Sequence, residues 1–146
     1  MDSTDRAPAL ESKGDRKFWI RFYSTEIKEL GPEATEFLDA GMAILFQTGA
    51  PPELAEMSVL HEPRVCREAP PLPGDVLRVD AAKVHITAIG EKAWQNMRSL
   101  GHAVLKFNGE KTPELPGDIC LEKLDGKRIA EAFRPGVRLE IDAETR

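Results

Sequence analysis

The chain has three histidines, His61, His85 and His102. The imidazole ring changes charge near neutral pH without special tuning. Its neutral form is also a competent nucleophile towards phosphorus. The phosphoramidate that results stays reactive enough to pass the phosphoryl group on. A site of this kind needs one ring nitrogen free to attack. It needs the other held by a hydrogen bond that fixes the tautomer, and donors around the transferred oxygens.

His61 ends the apolar run MSVLH and precedes Glu62-Pro63-Arg64. The spacing predicts a strand end, with Pro63 stopping the ladder and the histidine facing a loop, where reactive side chains are common. Arg64 is close in sequence and suited to phosphate oxygens. Position alone favours a half-exposed strand-end histidine with no role. His102 follows Gly101 and opens the strand HAVLKF, from which it could orient a reactive ring or donate to a phosphoryl group. Position alone again favours the plainer reading, a strand residue bonded to a carbonyl. His85 lies inside KVHITAIG, where alternation sends it to the polar face.

Other chemistries find little support. No serine lies in a GxSxG context, and no Gly-rich phosphate loop is present. Cys66 and Cys120 form no CxxC pair and read as free thiols of a reducing compartment. Histidines and cysteines lack short metal-ligand spacing, so neither a metal nor a cofactor is expected, and a metal-dependent hydrolase is the weakest alternative. With 20 Lys and Arg against 25 Asp and Glu, the net charge is -5. Nucleic-acid binding calls for the opposite sign, clustered on one face. The polar opening, Met1 to Lys17, lacks the apolar core of a signal peptide. No apolar run approaches the roughly 20 residues of a membrane helix. Both absences point to a cytoplasmic protein with no membrane insertion.

A chain of 146 residues fits one domain and buries roughly two thirds of its unfolded surface. Residues 1–16 carry no apolar period and read as a flexible arm before a domain over residues 17–146. KFWIRFYSTEI has the composition of a strand. Gly31-Pro32 breaks it, Pro32 to Leu38 reads as a short helix, and Met42 to Gln47 as a second strand. Gly49 to Pro52 is a breaker. Leu72-Pro73-Gly74-Asp75, Leu115-Pro116-Gly117-Asp118 and Arg134-Pro135-Gly136-Val137 each precede an alternating run. Pro-Gly there suits a type II turn leading into a half-buried strand. Glu91 to Leu100 places Trp94, Met97 and Leu100 at helical spacing, with Gly101 as the cap. About eight strands and two short helices predict a mainly β protein, a small closed or partly closed barrel, mostly antiparallel.

Four segments, GMAILFQTGAPPELAEMSVLH, LPGDVLRVDAAKVHITAIG, NMRSLGHAVLKFNG and ELPGDICLE, resemble the glucitol/sorbitol-specific IIA component of the bacterial sugar phosphotransferase system (PTS). The resemblance runs from about Phe18 to Asp142. It implies a small β-barrel that accepts a phosphoryl group from the phosphocarrier HPr on a histidine. The group then passes to the IIB part of a IIB/IIC glucitol permease. The family's phospho-accepting histidine falls on His61, with attack through Nε2 by analogy with other IIA components. The LGH histidine falls on His102, to which the resemblance gives a supporting role. Some relatives carry a second histidine where Pro63 stands here. The alternative is a regulatory or ligand-binding barrel that kept the fold without turnover.

Overall fold

Strand-forming composition and period-two alternation build most of the chain. The computed structural model describes residues 20–144. The arm expected over residues 1–16 lies outside them. The described residues form eight strands: β1 (Arg21–Leu30), β2 (Met42–Gln47), β3 (Val59–Cys66), β4 (Val76–Val79), β5 (Ala82–Ile89), β6 (Ala103–Lys106), β7 (Asp118–Leu121) and β8 (Arg138–Asp142). They close into a barrel in the order β1-β3-β2-β6-β7-β5-β4-β8. Closure removes the unpaired edges that an open sheet would offer. Two pairings, β2 with β3 and β6 with β7, are parallel, and the rest are antiparallel. The fold class expected from the sequence is the one observed.

Four short helices accompany the strands, rather than two: α1 (Ala34–Asp39), α2 (Pro52–Ala55), α3 (Ala93–Leu100) and α4 (Gly126–Ala132). α2 is a single turn begun by Pro52, so the breaker Gly49 to Pro52 also starts a helix. α4 buries only Ile129 and Ala132, too few apolar positions to show as a period. In α3, Trp94 and Met97 turn inward as their spacing predicts, but Leu100 is left exposed.

Alternation decides what goes inside. β5 reads buried and then open along its whole length. Ile27, Leu45, Leu77, Ile86, Leu105, Ile119 and Leu139 are each 1% exposed or less, and they join Met97 and Phe133 in one apolar cluster. Burying each such side chain contributes roughly 1.5–3 kcal/mol.

The repeated Pro-Gly corners share one device. Each closes a four-residue turn with a backbone bond, Asp75 N to Leu72 O, Asp118 N to Leu115 O and Val137 N to Arg134 O. Gly74 and Gly136 take positive φ, as type II requires, whereas Gly117 does not and its turn departs from that type. In both LPGD copies the aspartate carboxylate accepts the amide of the leucine three residues earlier, at 2.8 Å for Asp75 and 3.0 Å for Asp118. The motif is a self-capped turn that launches a strand.

β3 corrects the expectation that Pro63 ends the ladder. The strand continues to Cys66, and Pro63 pairs with Thr25 of β1. β2 accompanies β3 only as far as His61. Beyond that point β3 has a partner on one side, so a residue without an N–H is tolerated. His61 therefore stands where the barrel wall loses one neighbour, and not at the end of a strand.

His85 lies on the outer face, its Nδ1 3.0 Å from Glu122 and its Nε2 3.4 Å from Glu144. The hydrogen bond to Glu122 is the main reason its pKa rises above the ordinary 6.5. A raised pKa means that folding favours the protonated ring. The contribution is complete below pH 6.5 and is lost as pH rises through the higher folded value. The expected outcome is that the melting-temperature gap between wild type and His85→Gln is largest in mild acid and closes towards alkaline pH. Thermal denaturation followed by circular dichroism across that range measures it.

Candidate functional site

The parallel pairing of β2 with β3 sets Gln47 beside His61, and β1 sets Ile27 on its other side. Register shifts bracket this part of β1, between Ser24 and Thr25 and between Ile27 and Glu29. Such irregularities re-aim side chains, and Thr25 is aimed at the ring. Its Oγ1 lies 2.6 Å from His61 Nδ1. On the other side, His61 Nε2 lies 2.7 Å from the carbonyl oxygen of Gly101. Tyr23 meets the ring edge-on at 6.2 Å between centroids, and Trp94 of α3 meets Tyr23 in the same way at 5.7 Å.

A carbonyl oxygen only accepts. Nε2 therefore carries the proton and donates it to Gly101. Burial lowers the ring's pKa below its ordinary value near 6.5, and the Gly101 bond offsets this in part. The ring is neutral at pH 7, so Nδ1 holds the lone pair and accepts the Thr25 hydroxyl proton. The Gly101 carbonyl fixes the tautomer, and the Thr25 hydroxyl, from a distant part of the chain, turns to match it.

The ring is 0% exposed, as is Thr25. This corrects the expectation of a strand-end histidine open to a loop. The cover is the corner between α3 and β6. Gly101 adopts the left-handed conformation at φ 62° that ends α3. Its amide bonds to Met97 O and the His102 amide to Asn96 O, which ties the corner to the helix. α3 is itself anchored by the Trp94 indole, which donates to Arg67 O at 2.9 Å. A Cβ at position 101 would sit 2.9 Å from Gln47 Cβ and 3.2 Å from His61 Cε1. Only glycine lets the backbone lie this close over the ring.

His102 is adjacent along the chain but separately held. Its Nδ1 donates to Leu45 O at 3.0 Å, and its ring packs tilted on Phe46 at 5.1 Å. No hydrogen bond joins it to His61 among the described residues; the link between them is the Gly101–His102 peptide. The ring is part-buried, and Leu45 occupies only its Nδ1. Arg64 points elsewhere. Its guanidinium lies 2.8 Å from Glu26 and 3.9 Å from Glu62 on the outer face, not beside His61.

Thr25, Tyr23 and the Gly101 carbonyl were not singled out in the sequence. Thr25 is 36 positions from His61, and only strand pairing joins them. Gly101 was legible as a helix cap, but not as a cover. Tyr23 is also fully buried, and its hydroxyl has no hydrogen-bond partner among the described residues. Burial pushes its phenol pKa up, so it stays protonated. No group of three or more His, Cys, Asp or Glu among the described residues is placed to hold a metal ion.

By fold, the chain is similar to a solved PTS IIA component from Enterococcus faecalis V583. The TM-score is 0.61 at 20% identity, over 80% of this chain and 96% of that one. That likeness shows a shared barrel fold. Sequence narrows it: residues 22–142 match the family described as the PTS system glucitol/sorbitol-specific IIA component, and the chain belongs to that family. Among curated relatives, the glucitol/sorbitol-specific EIIA component of Shigella flexneri is 35% identical and that of Escherichia coli (strain K12) 34%. Each alignment spans 97 residues, 66% of this chain and 78% of the relative. Membership supports a phosphocarrier role in the phosphotransferase system. Among the described residues no helix is long and apolar enough to cross a membrane.

Two measurements check this geometry. Gly101→Ala adds a Cβ in the left-handed region, which costs roughly 1–2 kcal/mol before any clash is counted. Denaturant unfolding is expected to show at least that loss. In an NMR pH titration, the His61 ring signals are expected to move with a midpoint below the ordinary value of 6.5.

Proposed function

We propose that this chain is a cytoplasmic phosphocarrier, its domain spanning residues 17–146, that takes a phosphoryl group from phospho-HPr onto His61 and delivers it to the IIB component of a glucitol/sorbitol permease. Family membership and the names of the two curated relatives support the system and the sugar class. The observation that carries the choice of atom is the enclosed neutral ring of His61, with a separate partner on each nitrogen. Burial keeps it unprotonated and hence nucleophilic, and held partners lower the cost of orienting it.

The closed corner is a resting state. Docking lifts Gly101 and His102 from the barrel end and uncovers Nε2. The bond from His61 Nε2 to Gly101 and the bond from His102 to Leu45 are given up, each a net of about 1 kcal/mol, which a protein interface readily offsets. His102 and the freed amides of the corner then surround the phosphoryl oxygens, while Thr25 stays on Nδ1 on the far side of the ring. Arg64 takes part only if it leaves Glu26. Both complexes must dissociate, so the interfaces are small and transient.

A second reading has a specific observation behind it. His102 already donates Nδ1–H to Leu45 and is part-exposed. Its Nε2 then carries a lone pair, and it could accept the phosphoryl group with no opening at all.

Labelling separates the readings. The full chain is incubated with radiolabelled phosphoenolpyruvate, enzyme I and HPr, and then chased with IIB. An acid-labile, IIB-dischargeable label that vanishes in His61→Ala and survives in His102→Ala is the expected result. The reverse pattern assigns the transfer to His102. A wild-type chain that takes no label is a regulatory or ligand-binding barrel.

A further inference from the structure

Resting on the proposed transfer at His61, we infer that Thr25 is a positioning residue for it, because its hydroxyl can hold Nδ1 in both tautomers that the transfer requires. In the closed geometry Nε2 donates to the Gly101 carbonyl, and Nδ1 can only accept. An Nε2 that carries a proton cannot attack phosphorus. When the corner lifts, Nε2 gives up its proton to solvent and Nδ1 takes one, so the ring stays neutral. The partner at Nδ1 must then change from donor to acceptor. A backbone carbonyl or amide cannot do this, but a hydroxyl, with one O–H and two lone pairs, needs only to rotate.

Thr25 is suited to that task. It is 0% exposed, so water does not compete for Nδ1. Among the described residues its Oγ1 has no hydrogen-bond partner other than Nδ1. It sits on β1, paired on both sides, to Pro63 of β3 and Leu139 of β8, so its backbone stays in place while the Gly101 corner moves. One nitrogen faces the wall and the other faces the cover.

The transfer balances. The Nε2 lone pair of His61 forms the new N–P bond, and the donor's N–P bond breaks with its electron pair returning to the donor ring. That ring keeps the proton on its other nitrogen and leaves as neutral imidazole. The product ring carries the phosphoryl group on Nε2 and a proton on Nδ1, donated to Thr25 Oγ1. No further proton is gained or lost in the step itself.

The test compares wild type, Thr25→Val, Thr25→Ser and His61→Ala as full chains, phosphorylated by phospho-HPr. Transfer rate and the ring nitrogen that carries phosphorus are read together, the latter with isomer-selective phosphohistidine detection. Wild type and Thr25→Ser are expected to carry Nε2-phosphohistidine alone. Thr25→Val is expected to be about tenfold slower, the scale of one lost orienting hydrogen bond, and to give a mixture with the Nδ1 isomer. A purely structural threonine would lower the melting temperature without mixing the isomers. Wild type carrying phosphorus on Nδ1 overturns the inference and needs no variant. So does Thr25→Val transferring within twofold of wild type to Nε2 alone. A label that persists in His61→Ala removes the transfer reading beneath it, and that result is distinct from both.

Discussion

A carbonyl oxygen cannot donate a hydrogen bond, and most of what the site does follows from that. Gly101 O faces His61 Nε2 at 2.7 Å, so the resting ring is held as a donor on its covered side. The same contact that sets the tautomer also seals the ring. The site is ordered and shut by one interaction, which is a different design from a nucleophile left standing in solvent. Opening it need not disturb the barrel, because the wall-side partner is Thr25 on β1 and the cover-side partner belongs to a corner after a short helix.

The barrel's connectivity makes that corner possible. β2 lies between β3 and β6, parallel to one and antiparallel to the other. Gln47 pairs with His61 across one seam, while Leu45 pairs with Ala103 across the other. The chain entering β6 must therefore pass over the end of β2, and Gly101 and His102 are that passage. Trp94 and Met97 hold α3 down on the core. The last turn of the helix then fixes where the carbonyl lands. A closed barrel gives this precision cheaply, since every strand is braced on both sides.

The fold was largely legible in the sequence because alternation and turn chemistry are local signals. LPGD, Gly101 and the run KVHITAIG each announce a strand boundary within a few residues. What was not legible is non-local. Thr25 and His61 look unrelated until β1 and β3 pair, and Arg64 looks like a partner of His61 because sequence nearness was taken for spatial nearness. In a strand, neighbours three residues apart point to opposite faces, and Arg64 duly meets Glu26 outside the barrel. Pro63 misled for a related reason. A proline stops a ladder only where both edges are used, and here β2 has already ended. Helices α2 and α4 escaped because four and seven residues are too few to display a period.

The three histidines show how environment, rather than residue type, assigns roles. His85 has a carboxylate near each nitrogen, and the bond to Glu122 raises its pKa, so its surroundings favour the protonated ring, which has no lone pair to offer. His61 has neutral partners and a pKa lowered by burial, so its surroundings favour the neutral ring with its lone pair, and location and access are what remain to be controlled. Access is the remaining term. A cover that costs a few kcal/mol to lift leaves the open form at roughly 0.1–10%, and apparent affinity falls by that same fraction. A carrier that must dock, transfer and release loses little by this, since tight binding would slow its second encounter. It gains protection, because the unphosphorylated imidazole is covered whenever the corner is closed. Burial of His61 is therefore compatible with relay chemistry so long as the cover moves and the wall does not, and the division of its two hydrogen bonds between Gly101 and Thr25 is what makes that separation physically available.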